Sequence, residues 1–566
     1  MNSLLYITIF IFHSDITYIM DKEILIVPEP NTLEFSGKWF SFNGFVNFPN
    51  FLAKEFGLKR GEWKLLKVSG EGTGIVVKEK IVEYWGDEKV AFATIIQLTR
   101  QRKGYLPGVT IKEKLRFKIR GYHLDIARGG VPKLETFKKI LRWLFLLKYN
   151  YFAIYFEDLF PWEKYPKIGA KRGRLTKEEL NEIIGYGKKL GIEVFPSLEL
   201  AGHMENILTL PEFRKYSEWH RPREGCLDLS NKEAKEFAYN LLQEVLDFFD
   251  SKYIHIGGDE TWALGRGKSL NKIWKFEGPR LYLEHHKKML DMVEKTGKKP
   301  MLWGDMLTGM YLSKEEAEKW SEVLKSDIWE RAIIANWDYS GRSKEFFREK
   351  IRIFSNRGLK QVICPGLSNW NTFYPDFDRA LENLKNFLGA AREEDVLGFL
   401  VTAWGDDGEE CLFSLLDPLI LAAMEFAEGN GDWEKKWIKL SNEDENILKI
   451  RKLFGKSIIA NNIKKILFTP MEELKDISKV IEEEIIKKLY GIENVLLPKD
   501  LDFIREMIFV CLKKLKGKAT VSDFIRLASL YSDLWLAERK IPGLQRVLNR
   551  FWGSASNIDL LYKLSH

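Results

Sequence analysis

With 566 residues, of which 45% are hydrophobic and 30% charged, the chain is globular but too long for a single core, and we expect about two to four domains. The 88 basic and 81 acidic residues leave a net charge of only +7, spread over mixed Lys/Glu faces, which argues against nucleic acid as a partner. Beyond the N-terminus no segment reaches the roughly 18 apolar residues of a membrane span, so no membrane association is predicted.

The N-terminal sequence "MNSLLYITIFIFHSDITYIM" allows two interpretations. Its apolar run, Leu4 to Phe12, has the length of a signal-peptide core, but no Lys or Arg precedes it and no small-residue cleavage site follows. A start at Met20 is the alternative. The four cysteines are scattered without CxxC pairs, which suits a reducing compartment. We therefore expect a cytoplasmic protein, or a secreted one if residues 1–20 act as a signal.

The first region, residues 21–115, mixes β-rich runs with helix-like stretches and predicts a small α+β domain. The segments that indicate it are "ILIVPEP", "GTGIVVKEKIVEYW" and "VAFATIIQLTRQ".

In the second region, residues 116–430, short β-branched or aromatic runs alternate with long amphipathic stretches. About eight such units over roughly 300 residues predict a closed (β/α)8 barrel, hence an α/β fold. One amphipathic stretch, "TKEELNEIIGYGKKLG", has Thr176 as its N-cap, Glu179 three residues later and Gly191 as its stop. The strand candidates are "KIRGYHLDIA", "YNYFAIYFED", "IEVFPSLEL", "KYIHIGGDE", "KPMLWGDM", "AIIANWD", "KQVICPG" and "GFLVTAW".

The third region, residues 431–566, has apolar residues at helical spacing and predicts a helical C-terminal domain packed on the barrel. Typical segments are "MEELKDISKVIEEEIIKKLYG" and "DFIREMIFVCLKKLKG". Lys, Glu and Ile are abundant throughout, which is a hint of a thermophile.

Polar and aromatic residues recur where the predicted strands end, which is where (β/α)8 barrels place their chemistry. Seven of the strands carry an acid, a histidine or a tryptophan there, which predicts an acidic cleft with aromatic walls. Carboxylates accept hydrogen bonds from sugar hydroxyls and indoles pack on sugar rings, so a carbohydrate substrate is favoured. A metal site is the competing interpretation, because His203, His255, Asp259 and Glu260 are ligand types. We expect His255 to be a core residue and no metal or cofactor to be needed.

The segment "YIHIGGDETW" places Asp259 and Glu260 side by side after two glycines. Neighbouring strand residues face opposite ways, so the pair can share a site only if the backbone turns there. Two acids so close in sequence fit poorly on opposite sides of a glycosidic bond, where a nucleophile and an acid stand about 5 Å apart. They fit a 2-acetamido sugar better, because its own carbonyl oxygen can attack and form an oxazolinium ion.

The octet "YIHIGGDE" resembles the signature of glycoside hydrolase family 20, the β-N-acetylhexosaminidases. The segments "KIRGYHLDIAR", "YFEDLFPWEKYPKIGA", "LELAGH" and "AWGDD" are similar to further motifs of that family, in the same order, over about residues 30–430. The resemblance implies a retaining exo-glycosidase that releases terminal β-linked N-acetylglucosamine, or N-acetylgalactosamine, from an oligosaccharide or glycoconjugate by substrate-assisted catalysis.

The resemblance also implies roles for individual residues. Asp259 would orient the acetamido group and Glu260 would be the general acid and base. Arg120 would hold O3 and O4 of the sugar, and Asp158 and His203 would tune Glu260. The remaining candidates form the pocket wall and its closed end: Trp303, Trp337, Trp404 and Asp406.

Departures from the family pattern leave three alternatives open. Glu157 and Asp158 could exchange roles, and Asp407 could replace Asp406. Either Tyr339 or Tyr374 could contact the acetamido carbonyl. A sugar-binding protein without catalysis and a metal-dependent barrel hydrolase are the other function classes, and a second copy of the chain is a further candidate partner.

Overall fold

The structure is a computed structural model that describes residues 23–220, 225–309, 312–406, 408–470, 473–474, 492 and 494–565. Three sequence-based predictions fall on other residues: the signal-like segment 1–20, the helix at 471–491 except positions 473 and 474, and the role of Asp407.

The N-terminal region is built on a five-stranded mixed sheet in the order β1-β5-β3-β4-β2. The segment "GTGIVVKEKIVEYW" forms an antiparallel hairpin, whereas "VAFATIIQLTRQ" forms a helix that Asp87 caps. The run "ILIVPEP" forms no strand, because the side chains of Gln97 and Gln101 bind the backbone of Val27 and Leu25. The strands are β1 (Thr32–Ser41), β2 (Lys64–Lys67), β3 (Thr73–Lys78), β4 (Ile81–Trp85) and β5 (Tyr105–Glu113), with helices Asn50–Glu55 and Glu88–Thr99.

Eight parallel strands then close into a barrel, and each lies inside one of the predicted strand segments. The ring closes where the last strand pairs with the first, from Gly398 beside Ile119 to Ala403 beside Leu124. The predicted (β/α)8 fold is therefore confirmed. The strands are β6 (Ile119–Asp125), β7 (Tyr151–Tyr155), β8 (Glu193–Ser197), β9 (Tyr253–His255), β10 (Lys299–Trp303), β11 (Ile333–Trp337), β12 (Gln361–Cys364) and β13 (Gly398–Ala403).

Helices surround the barrel, and the predicted caps of the second one are present. The Thr176 and Glu179 side chains form a capping box, and Gly191 ends that helix at φ +78°. After β10 three short helices replace a single long one. The helices of this ring are Leu134–Leu146, Lys177–Leu190, Glu205–Leu208, Lys232–Phe248, Lys268–Ile273, Gly278–Lys295, Asp305–Thr308, Lys314–Lys319, Ser321–Leu324, Lys344–Ser355, Phe377–Ala391 and Asp417–Glu428.

Side chains alternate across each barrel strand, so every second residue fills the barrel interior. On β6, His123 points inward and its ring lies 5.1 Å from that of Trp404, whereas Tyr122 packs on the outer layer. Near the carboxyl ends of the strands the interior becomes aromatic, with Tyr155 and Trp303 both in contact with Trp404. These aromatic rings form the base of any site that opens at this end of the barrel.

The C-terminal region is helical in its described parts, and it packs on the barrel. The tyrosine hydroxyl of Tyr531 donates to the Glu410 carbonyl, and the Glu538 carboxylate accepts from the amides of Phe413 and Ser414. Among the described residues no helix has the length and apolarity that crossing a bilayer requires. The helices are Trp433–Ser441, Glu445–Phe454, Ser457–Phe468, Lys499–Leu515, Val521–Glu538 and Leu544–Ser565.

Candidate active site

A cavity of about 290 Å³ opens at the carboxyl ends of the barrel strands. Acidic, basic and aromatic side chains share its wall, which is the composition expected of a site for a polar ring such as a sugar. The lining residues are Arg128, Tyr155, His203, Asp259, Glu260, Trp303, Trp337, Tyr339, Trp370, Arg379, Trp404 and Asp406.

The backbone turns sharply between the end of β9 and the acidic pair. Gly257 and Gly258 have φ values of +68° and +92°, and Glu260 itself has φ +49°. A Cβ on Gly257 would stand 2.1 Å from the Glu199 carboxylate, so glycine is required there by space as well as by conformation. This turn directs both carboxylates into the cavity, as the sequence predicts.

His203 lies between the two carboxylates. Its Nε2 is 3.5 Å from Oδ2 of Asp259 and 3.6 Å from Oε2 of Glu260. Its backbone also adopts the left-handed conformation, at φ +48°, and such strained residues concentrate at functional sites. Both acids therefore contact the same imidazole from one side of the cavity.

The surroundings drive the protonation of the two acids in opposite directions. Burial acts to raise the pKa of Asp259, but the charge of His203 and a hydrogen bond to it outweigh burial, and the pKa is lower than usual. Burial raises the pKa of Glu260, and the Asp259 carboxylate raises it further. Burial alone would lower the pKa of His203, yet Asp259 raises it well above its usual value. The surroundings thus favour the charged forms of Asp259 and His203 and the protonated form of Glu260.

Two further carboxyl groups hold the pair and its walls from behind. Glu199 accepts from the Gly258 amide at 3.1 Å and from Nε1 of Trp303 at 3.1 Å. Asp305 accepts from the Glu260 amide at 3.0 Å and from Nε1 of Trp337 at 3.3 Å. Burial, followed by the charge of Asp259, raises the pKa of Asp305 to about 7. Each tryptophan is thereby fixed to the loop that carries the catalytic candidates.

Arg128 supplies the positive charge at one end of the cavity. Its Nη1 donates to Asp125 at 2.8 Å, and its Nε lies 3.3 Å from Glu157 and 3.7 Å from Asp406. The guanidinium also stacks over the ring of Trp404, at 5.4 Å. Asp406 remains 42% exposed on the side chain, so it faces the cavity with an arginine partner.

The structure corrects the prediction for Arg120. This residue lies near the start of β6, at the end of the barrel opposite to the cavity. Its side chain points outward from the barrel, whereas that of His123 points inward. Its guanidinium donates to the carbonyls of Lys148 and Phe117, at 2.9 and 2.6 Å. Arg128, at the carboxyl end of the same segment, is the arginine that reaches the cavity.

Asp158 and Tyr374 also lie away from the cavity. Asp158 is fully buried and paired with Arg172, so it does not contact Glu260. The hydroxyl of Tyr374 donates to the Arg451 carbonyl at 3.1 Å, beneath the C-terminal helices. Of the two tyrosine candidates, only Tyr339 lines the cavity, where its hydroxyl accepts from Nε1 of Trp404 at 2.8 Å.

Glu157 does not line the cavity itself but contacts residues that do. Its carboxylate accepts from the Tyr155 hydroxyl at 3.1 Å and from the Asn206 amide at 3.0 Å, in addition to facing Arg128. Burial raises its pKa to about 7, with Arg128 opposing the rise. Between Glu157 and Asp158, it is Glu157 that supports the cleft.

Besides Arg128, three residues that line the cavity are not among the predicted site residues: Tyr155, Trp370 and Arg379. Trp370 contacts Tyr339 at 5.2 Å between ring centroids, and Arg379 stacks on Trp370 at 5.6 Å. Trp370 follows the seventh barrel strand, β12, shortly before the candidate Tyr374. The rule that chemistry gathers after barrel strands would have pointed to it.

Within the described ranges, one group of three side chains has ligand atoms close enough for a metal ion, namely Glu157, His203 and Glu205, within 4.8 Å of one another. The Glu157 oxygens already accept two hydrogen bonds and face Arg128, whose positive charge would oppose a cation. The His255 ring is fully buried inside the barrel and accepts from the Gly257 amide. These contacts give the metal interpretation no support.

Residues 117–385 match the sequence profile of the glycosyl hydrolase family 20 catalytic domain. This barrel belongs to glycosyl hydrolase family 20. Over 206 residues the chain is 31% identical to the beta-hexosaminidase of Vibrio furnissii, and this match covers 30% of this chain and 34% of that protein. Over 270 residues it is 24% identical to the beta-hexosaminidase subunit beta of Entamoeba histolytica, and this match covers 42% of this chain and 47% of that protein.

The family 20 barrel is also similar to solved structures. A beta-N-acetylhexosaminidase from Bacteroides fragilis superposes with a TM-score of 0.56 at 22% identity, and the match covers 72% of this chain and 91% of that one. At this identity the likeness concerns the fold. The chain spans less than half the length of these two relatives.

Proposed function

We propose that the protein is an exo-acting β-N-acetylhexosaminidase that uses the acetamido group of its substrate as the nucleophile. The observation that carries the proposal is the pair Asp259 and Glu260, which contact one imidazole and have opposite pKa shifts. Carboxyl groups whose environments separate their pKa values take different roles in acid–base chemistry.

Asp259 is suited to stabilise a cation and to orient an amide. Its side chain is only 13% exposed, its lowered pKa keeps it anionic, and its buried Oδ1 has no hydrogen-bond partner among the described protein groups. The N–H of a 2-acetamido group can donate to this oxygen. The carbonyl oxygen of the same group then attacks the anomeric carbon while the bond to the leaving oxygen breaks, which produces an oxazolinium ion.

Glu260 is suited to move the proton. Its side chain is 48% exposed, so it can reach both a leaving oxygen and water, and burial and Asp259 raise its pKa, which favours the protonated form that an acid needs. In the first step Glu260 protonates the leaving oxygen. In the second it takes a proton from water, which attacks the anomeric carbon and opens the oxazolinium ring, so the configuration is retained overall.

The rest of the cavity supports a single terminal sugar. Trp303, Trp337 and Trp404 offer apolar faces to the ring and the acetamido methyl, and the Tyr339 hydroxyl is within the same wall. Arg128 and Asp406 offer a donor and an acceptor to ring hydroxyls at one end. N-acetylglucosamine is the proposed sugar, with N-acetylgalactosamine as the alternative.

A panel of aryl β-glycosides with and without the 2-acetamido group tests this function. We expect turnover of the acetamido compounds, with hydrolysis of plain glucosides at least about 100-fold slower because the nucleophile is missing. A sugar-binding protein without catalysis would bind N-acetylglucosamine and release no product from any compound. Equal rates on both kinds of glycoside, or a sugar covalently attached to the protein, would refute the proposed mechanism.

We further propose a cytoplasmic location, which the four buried cysteines without a disulfide support. A homodimer and a thermophilic source stay predictions from the sequence.

A further inference from the structure

We propose that Arg539, from the C-terminal helical region, is a positioning residue for the sugar-contacting side chains Arg128 and Asp406. The inference rests on the proposed function, since it assigns part of the substrate affinity to a segment outside the barrel. The segment Glu538–Gly543 follows the helix Val521–Glu538, and we call it the clip.

The clip is bound along its backbone to the loop that carries Arg128. The Lys133 amide donates to the Glu538 carbonyl at 2.9 Å, and the Lys540 amide donates to the Val131 carbonyl at 2.9 Å. Gly543, at φ +97°, approaches so closely that a Cβ there would stand 1.9 Å from the Gly129 carbonyl oxygen. The clip therefore fixes the backbone immediately after Arg128.

The same clip fixes the loop that carries Asp406. The Glu538 carboxylate accepts from the amides of Phe413 and Ser414, at 2.8 and 3.0 Å. Arg539 donates from Nη2 to the Cys411 carbonyl and stacks over Phe413 at 4.3 Å. Since the loops after the first and last barrel strands are neighbours, one segment holds both ends of the Arg128–Asp406 pair.

Arg539 also balances charge behind that pair. It is fully buried, and its Nε and Nη1 have no hydrogen-bond partner among the described residues. A Cβ on Gly130 would stand 2.5 Å from Cγ of Glu409 and 2.9 Å from Nε of Arg539, so the two side chains flank one glycine. Burial and Asp125 raise the pKa of Glu409, whereas Arg539 and Arg128 oppose the rise.

Asp125 links this buried charge to the cavity. It accepts from Nη1 of Arg128 at 2.8 Å and from the Gly405 amide at 2.9 Å, so it joins the two loops. Without Arg539, Glu409 would lose one of the two arginines that oppose the rise of its pKa, and Arg128 would be drawn away from the cavity. Arg539 and Arg128 thus both balance the negative charge of Asp125 and Glu409, and Arg128 stays directed toward the substrate.

The test compares Arg539→Met and Arg539→Lys with the wild type in steady-state hydrolysis of an aryl 2-acetamido-β-glucoside. We expect KM to rise about tenfold or more in Arg539→Met while kcat stays within about threefold, because sugar contacts are displaced but the acidic pair is not. The lysine variant keeps the charge and should recover part of the affinity. Inhibition by free N-acetylglucosamine should weaken in parallel with KM.

Two further variants separate positioning from folding. Ile541→Ala changes an exposed clip residue and should leave KM unchanged. Gly543→Ala keeps Arg539 but forces the clip away from Gly129, and it should raise KM while a thermal melt shows a folded protein. A folded Arg539→Met enzyme with KM within twofold of the wild type would overturn the inference. If Arg539→Met does not fold, a normal KM in both Arg539→Lys and Gly543→Ala would overturn it. Failure of the wild type to hydrolyse the substrate would instead refute the proposed function.

Discussion

Asp259 and Glu260 are adjacent in the chain, yet they occupy different environments. Asp259 is nearly buried against His203, whereas half of the Glu260 side chain reaches solvent. The difference arises because the left-handed turn at Glu260 points it toward the mouth of the cavity. One carboxyl group is thus prepared to remain an anion and the other to exchange a proton.

Replacement of Glu260 by Gln removes the proposed acid but keeps the shape of the side chain. Because burial and Asp259 raise the pKa of Glu260, the wild-type rate should fall as pH rises through that value, where the acid loses its proton. Glu260→Gln should lose this alkaline limb and slow hydrolysis of poor leaving groups by about 100-fold or more. The measurement is a pH–rate profile with aryl glycosides of different leaving-group pKa.

Asp259→Asn is the contrasting variant. It should slow good and poor leaving groups alike, because participation of the acetamido group is needed for both. If the two variants showed the same dependence on the leaving group, or if Glu260→Gln kept the alkaline limb, the roles assigned to the two residues would be wrong.

At the scale of the element, the β9 strand and its turn show how a short segment can carry both fold and site. Only Tyr253–His255 is a strand, and the following two glycines take conformations that other residues rarely adopt. Their missing side chains leave room for Glu199 and His286, which pack against the turn. The turn therefore depends on packing as well as on local conformation.

Gly257→Ala tests this dependence. We expect destabilisation of roughly 1–3 kcal/mol and a loss of activity of about tenfold or more, because the new Cβ would clash with Glu199 at a positive φ. Gly297→Ala is a matched control, since Gly297 has φ +75° but no atom within 4 Å of an added Cβ. Thermal melts and hydrolysis rates of both variants should separate the clash from the strain. Equal losses in the two would contradict the packing argument.

At the scale of the whole molecule, the barrel and the C-terminal region contribute to the cleft, whereas the N-terminal sheet does not line it. The barrel supplies the residues that line the cavity, and the C-terminal helices hold two of its loops. The N-terminal sheet lies toward the opposite end, where Glu113 of β5 pairs with buried Lys148 beneath the start of the barrel. The proposed exo mode, with Arg128 and Asp406 at one end of the cavity, predicts attack from a chain end.

A β-linked N-acetylglucosamine tetramer labelled at its reducing end tests the exo mode. We expect free monosaccharide as the first unlabelled product, with labelled trimer, dimer and monomer appearing in that order, because an exo-acting enzyme removes one terminal ring at a time. Mass spectrometry of early time points measures this sequence. Labelled dimer formed ahead of trimer would show internal cleavage and contradict the prediction.

The sequence alone determined the eight barrel strands and the position of the acidic pair. Strand-forming runs, their turns and the helix caps at Thr176 and Gly191 are local properties, so they are readable without knowledge of distant contacts. The two glycines before Asp259 also indicated the turn, because the conformational freedom of glycine is a local property. The failure of "ILIVPEP" to form a strand was not readable, because it depends on two glutamines about 70 residues away.

Only the tertiary structure decided which of several equivalent residues reaches the cavity. Arg120 and Arg128 lie in one segment, and the phase of β6 together with its direction in the barrel selects Arg128. Tyr339 and Tyr374 both follow barrel strands, but the C-terminal helices bury Tyr374. The direction of a side chain depends on strand phase and on packing between segments far apart in the chain, and neither is a local property of the sequence.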